Sequence, residues 1–453
     1  MKANMDPSPA AGESRRAFLG KAAKAAAAAG ALNLINTSVY GQSQAPSANV
    51  LGANERLRVA CIGAGSRGSE HLRLLKEHAD ELNIVPVAVC DVYEKRLDAA
   101  RRWVDSPGAA FVAEHRKVME RKDVDAVIVC TVDHWHAPVA IDALQAGKHV
   151  YCEKPMTRYL AEAFAVHDTV KQSGKVFMVG SQGCADPKWH KAAEWIRAGK
   201  LGPLVWGQGS YCRNNPKNSE WTYPIDPEAS ERNLDWKRWL GKTPAIPFNP
   251  EHYFCWHKYY AYNSGLIGNL LPHRLHPLML ATGQPEFPRR VVATGTRKIS
   301  TDREITDTTH LLAEFPSGLT LVAAGSTVNE QGLPDVLRGR RATLHFASSQ
   351  NHVELRPERI FADEMEGEEF SDPLPAERTE RLQKNFFDCI RSGGQPFAGI
   401  DLAIRVQTVL CMAEMSERLG LALFFDEATR TLRTGDGRIV PPLTYGSVVP
   451  GAS

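Results

Sequence analysis

Leu57-Arg-Val-Ala-Cys-Ile62 runs straight into Gly63-Ala-Gly65-Ser66-Arg67-Gly68, and reading this stretch decides the fold. The first six residues read as a short strand. Gly63 permits a tight turn, Gly65 lets a backbone approach a pyrophosphate, and Gly68 lets the following helix pack closely on the strand. That helix carries Leu72, Leu75 and Ala79 on one face. Strand, GxGxxG and helix in this order are the context of a dinucleotide-binding unit. Ser66 and Arg67 lie in its loop, and unpaired amides at a helix N-terminus suit phosphate oxygens.

Working outward, Ile84 to Cys90 reads as the next strand and ends at Asp91, 28 residues after Gly63. An acid there can accept hydrogen bonds from ribose hydroxyls and would repel a 2′-phosphate. The expected cofactor is therefore NAD, with NADP kept open by Arg96 nearby. Asp125 to Cys130 is apolar and β-branched; Thr131-Val-Asp133-His134-Trp135-His136 then opens a helix that Gly147 ends. His149 to Cys152 is another strand, followed by Glu153-Lys154-Pro155. Ligands of parallel sheets sit beyond the carboxyl ends of the strands. Thr131, Asp133, His136, Glu153 and Lys154 therefore join Gly63, Gly65, Ser66, Arg67, Gly68 and Asp91 as cofactor-side candidates. His134 and His136 are poorly spaced for a shared metal on a helix and read as loop or capping residues, and no metal site is expected.

Lys175 to Val179 reads as a further strand, and a helix follows from Pro187 to Ala198, with Asp186 able to cap it. From Leu204 the chain changes character. Strand-like segments appear at Leu204–Tyr211, Arg290–Lys298, Thr308–Phe315, Thr320–Ser326, Arg341–Phe346 and Val353–Pro357, which fits a second domain carrying a sheet. Between the first two lies an insertion, Asn214 to Thr282, rich in Trp, Tyr, His, Asn and Pro. Such loops commonly build pockets, and aromatic rings with polar groups suit a sugar; Trp221, Trp236, Trp239 and Trp256 are the candidates. Asp363 to Glu369 reads as a solvated acidic loop, and Glu380–Arg391 and Asp401–Leu419 as helices.

The 453 residues suffice for two domains with sizeable cores. A formal charge of +2, from 54 basic and 52 acidic residues, gives no basic patch for nucleic acid. The nine cysteines include no CxxC pair and no zinc spacing, and read as buried thiols. Ser14-Arg15-Arg16-Ala-Phe18-Leu19 precedes an alanine-rich stretch too short and mild for a membrane span. It resembles a bacterial twin-arginine export signal. The expectation is export by that machinery to the periplasm or beyond, and no stable membrane span.

Glu153-Lys154-Pro155 downstream of the Gly63 fingerprint resembles the Gfo/Idh/MocA family, which includes glucose–fructose oxidoreductases and inositol dehydrogenases. The resemblance covers roughly residues 55 to 425. It implies an α/β Rossmann domain followed by an α+β domain built on a large, open, mostly antiparallel sheet, and a homodimer or homotetramer. It implies that Lys154 lies near the nicotinamide and the substrate hydroxyl, where a cation polarises the reacting oxygen. The family's helical Asp and, four residues on, His match Asn269 and His273. His273 is then the expected acid–base group; Asn269 can orient it or bind a hydroxyl, and His276 could contribute.

Gly268-Asn269-Leu270-Leu271-Pro272-His273 also resembles part of the motif of NAD-dependent α-N-acetylgalactosaminidases, which carry an extra residue before the histidine. The domains expected are a signal and leader over 1–50, a Rossmann domain over 55–180, a substrate and oligomerisation domain over 181–425, and a tail over 426–453. The expected function is NAD(P)-dependent hydride transfer with a carbinol carbon of a sugar, glycoside or polyol, the NAD tightly held. One alternative is redox-neutral glycoside hydrolysis by transient C3 oxidation and elimination, in which His276 or Tyr262 supplies a second base. The other is a non-catalytic NAD- or sugar-binding protein.

Overall fold

The structure is a computed structural model that describes residues 56–447. The expected export signal and leader, 1–50, lie outside the described residues.

Six parallel strands form the first sheet: β1 (Leu57–Ile62), β2 (Ile84–Cys90), β3 (Ala110–Val112), β4 (Ala126–Val129), β5 (His149–Glu153) and β6 (Phe177–Gly180). Their order is β3-β2-β1-β4-β5-β6, the doubly wound Rossmann arrangement. The central strands are apolar because both faces are covered; every residue of β4 is buried. The order reverses between β1 and β4, which opens a crevice at their carboxyl ends.

The second sheet has eleven strands, all antiparallel neighbours except β7 and β10. They are β7 (Leu204–Cys212), β8 (Arg290–Thr296), β9 (Thr308–Glu314), β10 (Thr320–Ser326), β11 (Asp335–Gly339), β12 (Ala342–Phe346), β13 (Gln350–Pro357), β14 (Glu368–Pro375), β15 (Leu423–Asp426), β16 (Thr431–Arg433) and β17 (Ile439–Val440). An α/β Rossmann domain is thus followed by a large, open, mostly antiparallel sheet.

Three details differ from the sequence reading. The acidic run Asp363–Glu369 is not all loop: Glu368 and Glu369 begin β14, an exposed edge strand whose charges and prolines suit an unpaired edge. β16 and β17 lie in the stretch expected as a tail, paired in turn onto β15. Asp186 stands at the N-cap of the helix Pro187–Arg197 without a side-chain cap bond. Its Oδ1 accepts the Glu377 amide at 2.8 Å instead, tying that helix to the C-terminal part of the chain.

The helix Ile400–Leu419 is buried along most of its length and packs on β8, on the helix Leu160–Ser173 and on the helix Pro272–Ala281. It carries Glu414, which pairs with Arg158 through Nη1–Oε2 at 2.6 Å and Nη2–Oε1 at 2.7 Å. Both side chains are buried, and Arg158 also donates to the Tyr260 carbonyl at 2.8 Å. Removing one partner of such a pair strands the other charge. Glu414→Ala should cost about 3–5 kcal/mol in urea denaturation, and a loss below about 1 kcal/mol would show that the pair does not hold these elements together. Among the described residues no helix is long and apolar enough to cross a membrane.

Candidate active site

The crevice at the β1/β4 reversal deepens into a cleft of about 510 Å³. Its Rossmann wall holds Gly63, Gly65, Ser66, Arg67 and Asp91, then Thr131, Asp133, His136, Glu153 and Lys154. The facing wall holds Arg213, Trp221, Trp256, His257, Asn269 and His273.

The glycines divide the work. Gly63 has φ +92°, and a Cβ there would lie 2.5 Å from the Cys130 carbonyl oxygen. A Cβ on Gly68 would lie 1.9 Å from the Gly63 oxygen, so Gly68 serves packing and does not line the cleft. A Cβ on Gly65 would meet first the Arg96 guanidinium, at 3.4 Å. The fold has room at Gly65, and a side chain there would take space from whatever lies against the loop. Asp91 braces the same loop: Oδ2 accepts the Ala64 amide at 2.7 Å and Oδ1 the Tyr93 amide at 2.9 Å. A bare helix start behind a glycine loop, with an acid at the end of β2, fits a dinucleotide.

At the end of β5, Glu153 accepts from Arg67 Nε at 2.7 Å and pairs with His71 Nε2 at 2.9 Å. Burial opposes its charge, but Arg67 and His71 prevail and hold the carboxyl well below the usual range. Lys154 donates from Nζ to the Asn269 carbonyl at 3.1 Å, joining the two walls. Burial lowers its pKa, with Glu153 and Asp133 partly offsetting. Asp133 is itself buried, which pushes its carboxyl up to about 7 against the pull of Lys154 and Arg158. His136 sets its ring nitrogens against the Pro155 and Thr131 carbonyls, at 2.7 and 3.1 Å, and so links the loops after β4 and β5. His134 meets the Trp239 carbonyl at 2.8 Å, outside the cleft.

The segment around His273 is two helices, Gly265–Asn269 and Pro272–Ala281. Pro272 has no amide hydrogen to continue the first and starts the second. Both Asn269 and His273 still face the cleft. The amide of Asn269 donates to Asn263 Oδ1 at 3.2 Å and to the Gly265 carbonyl at 3.0 Å, so Asn269 does not orient His273 by a hydrogen bond. Its contribution is the carbonyl that holds Lys154. The His273 ring stacks on Tyr211 at 4.7 Å; its Nδ1 has no hydrogen bond, with Glu377 Oε2 3.9 Å away. Burial first, then Lys154, Arg274 and Arg213, keep this imidazole neutral.

His276 does not reach the cleft: it is buried beneath it, with Nδ1 on the Pro272 carbonyl at 3.2 Å. Tyr262 is likewise outside, its hydroxyl 2.8 Å from His252 Nδ1. Of the four tryptophans, Trp221, Trp239 and Trp256 line the cleft, whereas Trp236 stacks behind Trp239 at 4.8 Å. Arg213 and His257 escaped the sequence reading. The position of Arg213 just past β7 was a usable signal; His257 sits in a single 3-10 turn, Trp256–Lys258, inside the insertion and carried none. Among the described residues no His, Cys, Asp or Glu cluster could hold a metal ion.

Buried neutral histidines make a pH prediction. Burial lowers His134, His149 and His257 to about 3 and His276 to about 4. Each folded pKa lies below the unfolded value near 6.5, so the unfolded state binds more protons as pH falls. Their stability is present above pH ~6.5 and is lost below it. Burial also lowers His136, His190, His252, His273 and His345; Asp133, at about 7, Asp186, at about 6, and His71, at about 9, with the raised Glu162, Asp335 and Glu417, act in the opposite sense but are fewer. Urea midpoints should fall from pH 7 to pH 5, with a limiting slope of roughly 1.4 kcal/mol per pH unit for each histidine. Midpoints that hold or rise over that range would contradict the burial of these rings.

Residues 57–181 match the GFO_IDH_MocA family, described as an oxidoreductase family with an NAD-binding Rossmann fold. Over those residues the Rossmann domain resembles that family. Curated relatives align mainly with part of the chain. A glycosyl hydrolase family 109 protein of Shewanella baltica (strain OS185) is 31% identical over 212 residues, 44% of this chain and 45% of that protein. An alpha-N-acetylgalactosaminidase of Shewanella oneidensis is 29% identical over 164 residues, 35% of either chain. The chain thus spans less than half the length of the curated relatives it matches. Among solved structures, levoglucosan dehydrogenase in complex with NADH and levoglucosan has a TM-score of 0.61 at 19% identity, over 85% of this chain and 100% of that one. Aldose-aldose oxidoreductase from Caulobacter crescentus, complexed with glycerol, has a TM-score of 0.61 at 19% identity, over 82% and 100%. Beyond residues 57–181, these likenesses extend the shared fold over the second sheet.

Proposed function

We propose that this chain is an NAD(P)-dependent oxidoreductase acting on a carbinol carbon of a sugar, glycoside or polyol. The observation that carries the reading is one cleft shared by the Gly63–Gly68 loop, Lys154 and His273. A bound nicotinamide would supply the hydride acceptor. Lys154 polarises the carbinol oxygen, and His273, neutral in this setting, takes its proton. The aromatic wall of Trp221 and Trp256 suits the apolar faces of a sugar ring. A panel of sugars and polyols offered with NAD⁺ should include one that reduces the cofactor; a panel inert with both NAD⁺ and NADP⁺ would count against the reading.

A second reading, redox-neutral glycoside cleavage, is favoured by the glycosidase relatives and by how the insertion is strapped to the segment after β2. Leu234 bridges to Tyr93; the Glu94 amide meets the Asn233 carbonyl at 3.0 Å, and the Asp235 amide meets the Val92 carbonyl at 2.9 Å. Arg96 lies over the Tyr253 ring at 4.7 Å. A cofactor held under this strap would stay through many turnovers. With His276 and Tyr262 outside the cleft and the His136 ring nitrogens on carbonyls, His257, whose Nδ1 has no hydrogen-bond partner among the described residues, is the imidazole suited to the second proton transfer. Cleavage of a nitrophenyl glycoside with no net change in nicotinamide absorbance would select this reading.

We also propose export through the twin-arginine pathway, on Arg15-Arg16, with the cofactor carried in the folded protein. Arg15→Lys/Arg16→Lys should retain the protein in the cytoplasm on cell fractionation. Val292 and Leu312 pair across β8 and β9 and are both exposed. We take that sheet face as the interface of a homodimer or homotetramer.

A further inference from the structure

Arg213 leaves the carboxyl end of β7 and lines the cleft. Its Nη1 donates to Glu220 Oε1 at 2.9 Å, while Nη2 has a long contact, 3.5 Å, with the Tyr211 hydroxyl. The other Glu220 oxygen is taken by Asn215. Glu220 therefore meets this guanidinium through one oxygen, and the two-pronged pairing with a planar carboxylate that arginine favours is not made.

Deeper in the cleft, Lys154 donates to a backbone carbonyl and to no carboxylate side chain. The nearby Glu153 is engaged by Arg67 and His71. His257 stacks on Trp256 at 3.7 Å and lies parallel to Trp221 at 5.8 Å, and its Nδ1 has no hydrogen-bond partner. The charged groups that act on its ring are Lys154 and Arg213, both cations. An oxidised nicotinamide would add a further positive charge. Glu220 meets Arg213 through one oxygen only and Lys154 has no carboxylate within hydrogen-bond reach among the described residues, so this end of the cleft has positive charge to offer a further anion.

Resting on the sugar-oxidoreductase reading, we infer that the substrate is a sugar acid whose carboxylate pairs with Arg213 while the reacting hydroxyl lies at Lys154 and His273. His257 then meets a hydroxyl between the two ends of the ring. A neutral sugar would leave the Nη2 side of Arg213, held only by the long Tyr211 contact, without an anion. A carboxylate supplies two acceptor oxygens in one plane, matched to that fork.

The test is equilibrium binding to NADH-loaded protein, followed by tryptophan fluorescence and checked by calorimetry. The probes are methyl glucuronide, galacturonide and mannuronide, each against its neutral methyl hexoside, with hexose 6-phosphates as the anionic control. At least one uronide should bind tenfold or more tighter than its neutral partner. Arg213→Gln, confirmed folded by unchanged NADH binding, should cut that preference below threefold. Equal binding of uronides and neutral hexosides would overturn the inference and leave the sugar reading intact. Tighter binding of the 6-phosphates, or a preference that survives Arg213→Gln, would also overturn it. Binding of NADH with no sugar of either kind would overturn both.

Discussion

Lys154→Ala is expected to lower kcat by about 100- to 10,000-fold while NADH affinity stays close to that of the unaltered protein. The side chain is the cation that bridges the two walls: Nζ meets the Asn269 carbonyl from the far domain, yet the amine still lines the cleft. Its neighbours Glu153 and Asp133 keep a buried ammonium tolerable, against the desolvation that lowers its pKa. Glu153 already has Arg67 and His71 as partners, and Asp133, whose carboxyl burial already pushes up to about 7, takes a proton, so removal of Lys154 strands no charge there. The fold should hold, and the loss should fall on the chemical step. The measurement is steady-state turnover of the best sugar in the panel, with cofactor binding measured in parallel. Turnover near the original rate would remove Lys154 from the reaction.

Gly65→Val should do the reverse, preserving the fold and weakening cofactor binding. An added Cβ meets the end of a flexible arginine at 3.4 Å and no backbone. The side chain instead takes the place of a dinucleotide phosphate against the loop. A hundredfold weaker NADH affinity, a cost of about 2.8 kcal/mol, is expected from titration, with an unchanged melting temperature. Gly68→Ala is the contrast: its Cβ would sit 1.9 Å from the Gly63 oxygen, so it should unfold or expand the first βα turn. Equal NADH affinity in the Gly65 variant would place the cofactor elsewhere.

The Rossmann half was legible because its signals are local. Strand, glycine loop, helix and terminal acid follow one another in the chain, and both faces of the sheet are apolar. The second sheet was half legible. β7, β9 and β10 alternate or run apolar, but β11 is five residues long, and β14 is charged and proline-bearing as an edge should be. The lining of the candidate cleft was legible where a motif carried it, as at Lys154 and His273. It was not legible where folding brings together residues far apart in the chain that no motif links. His257 and Arg213 meet Lys154 across more than fifty residues of sequence. The spacing of His276 from His273 suggested a shared face, yet the ring lies under the cleft with its Nδ1 on the Pro272 carbonyl.

The most direct measurement is mass spectrometry and absorbance on the supernatant of freshly purified, denatured protein. The strap from the insertion and the Gly63–Gly68 loop predict NAD(H) released at close to one per chain. Protein that releases no dinucleotide, and that binds neither NADH nor NADPH when these are added, would contradict the assignment of this cleft.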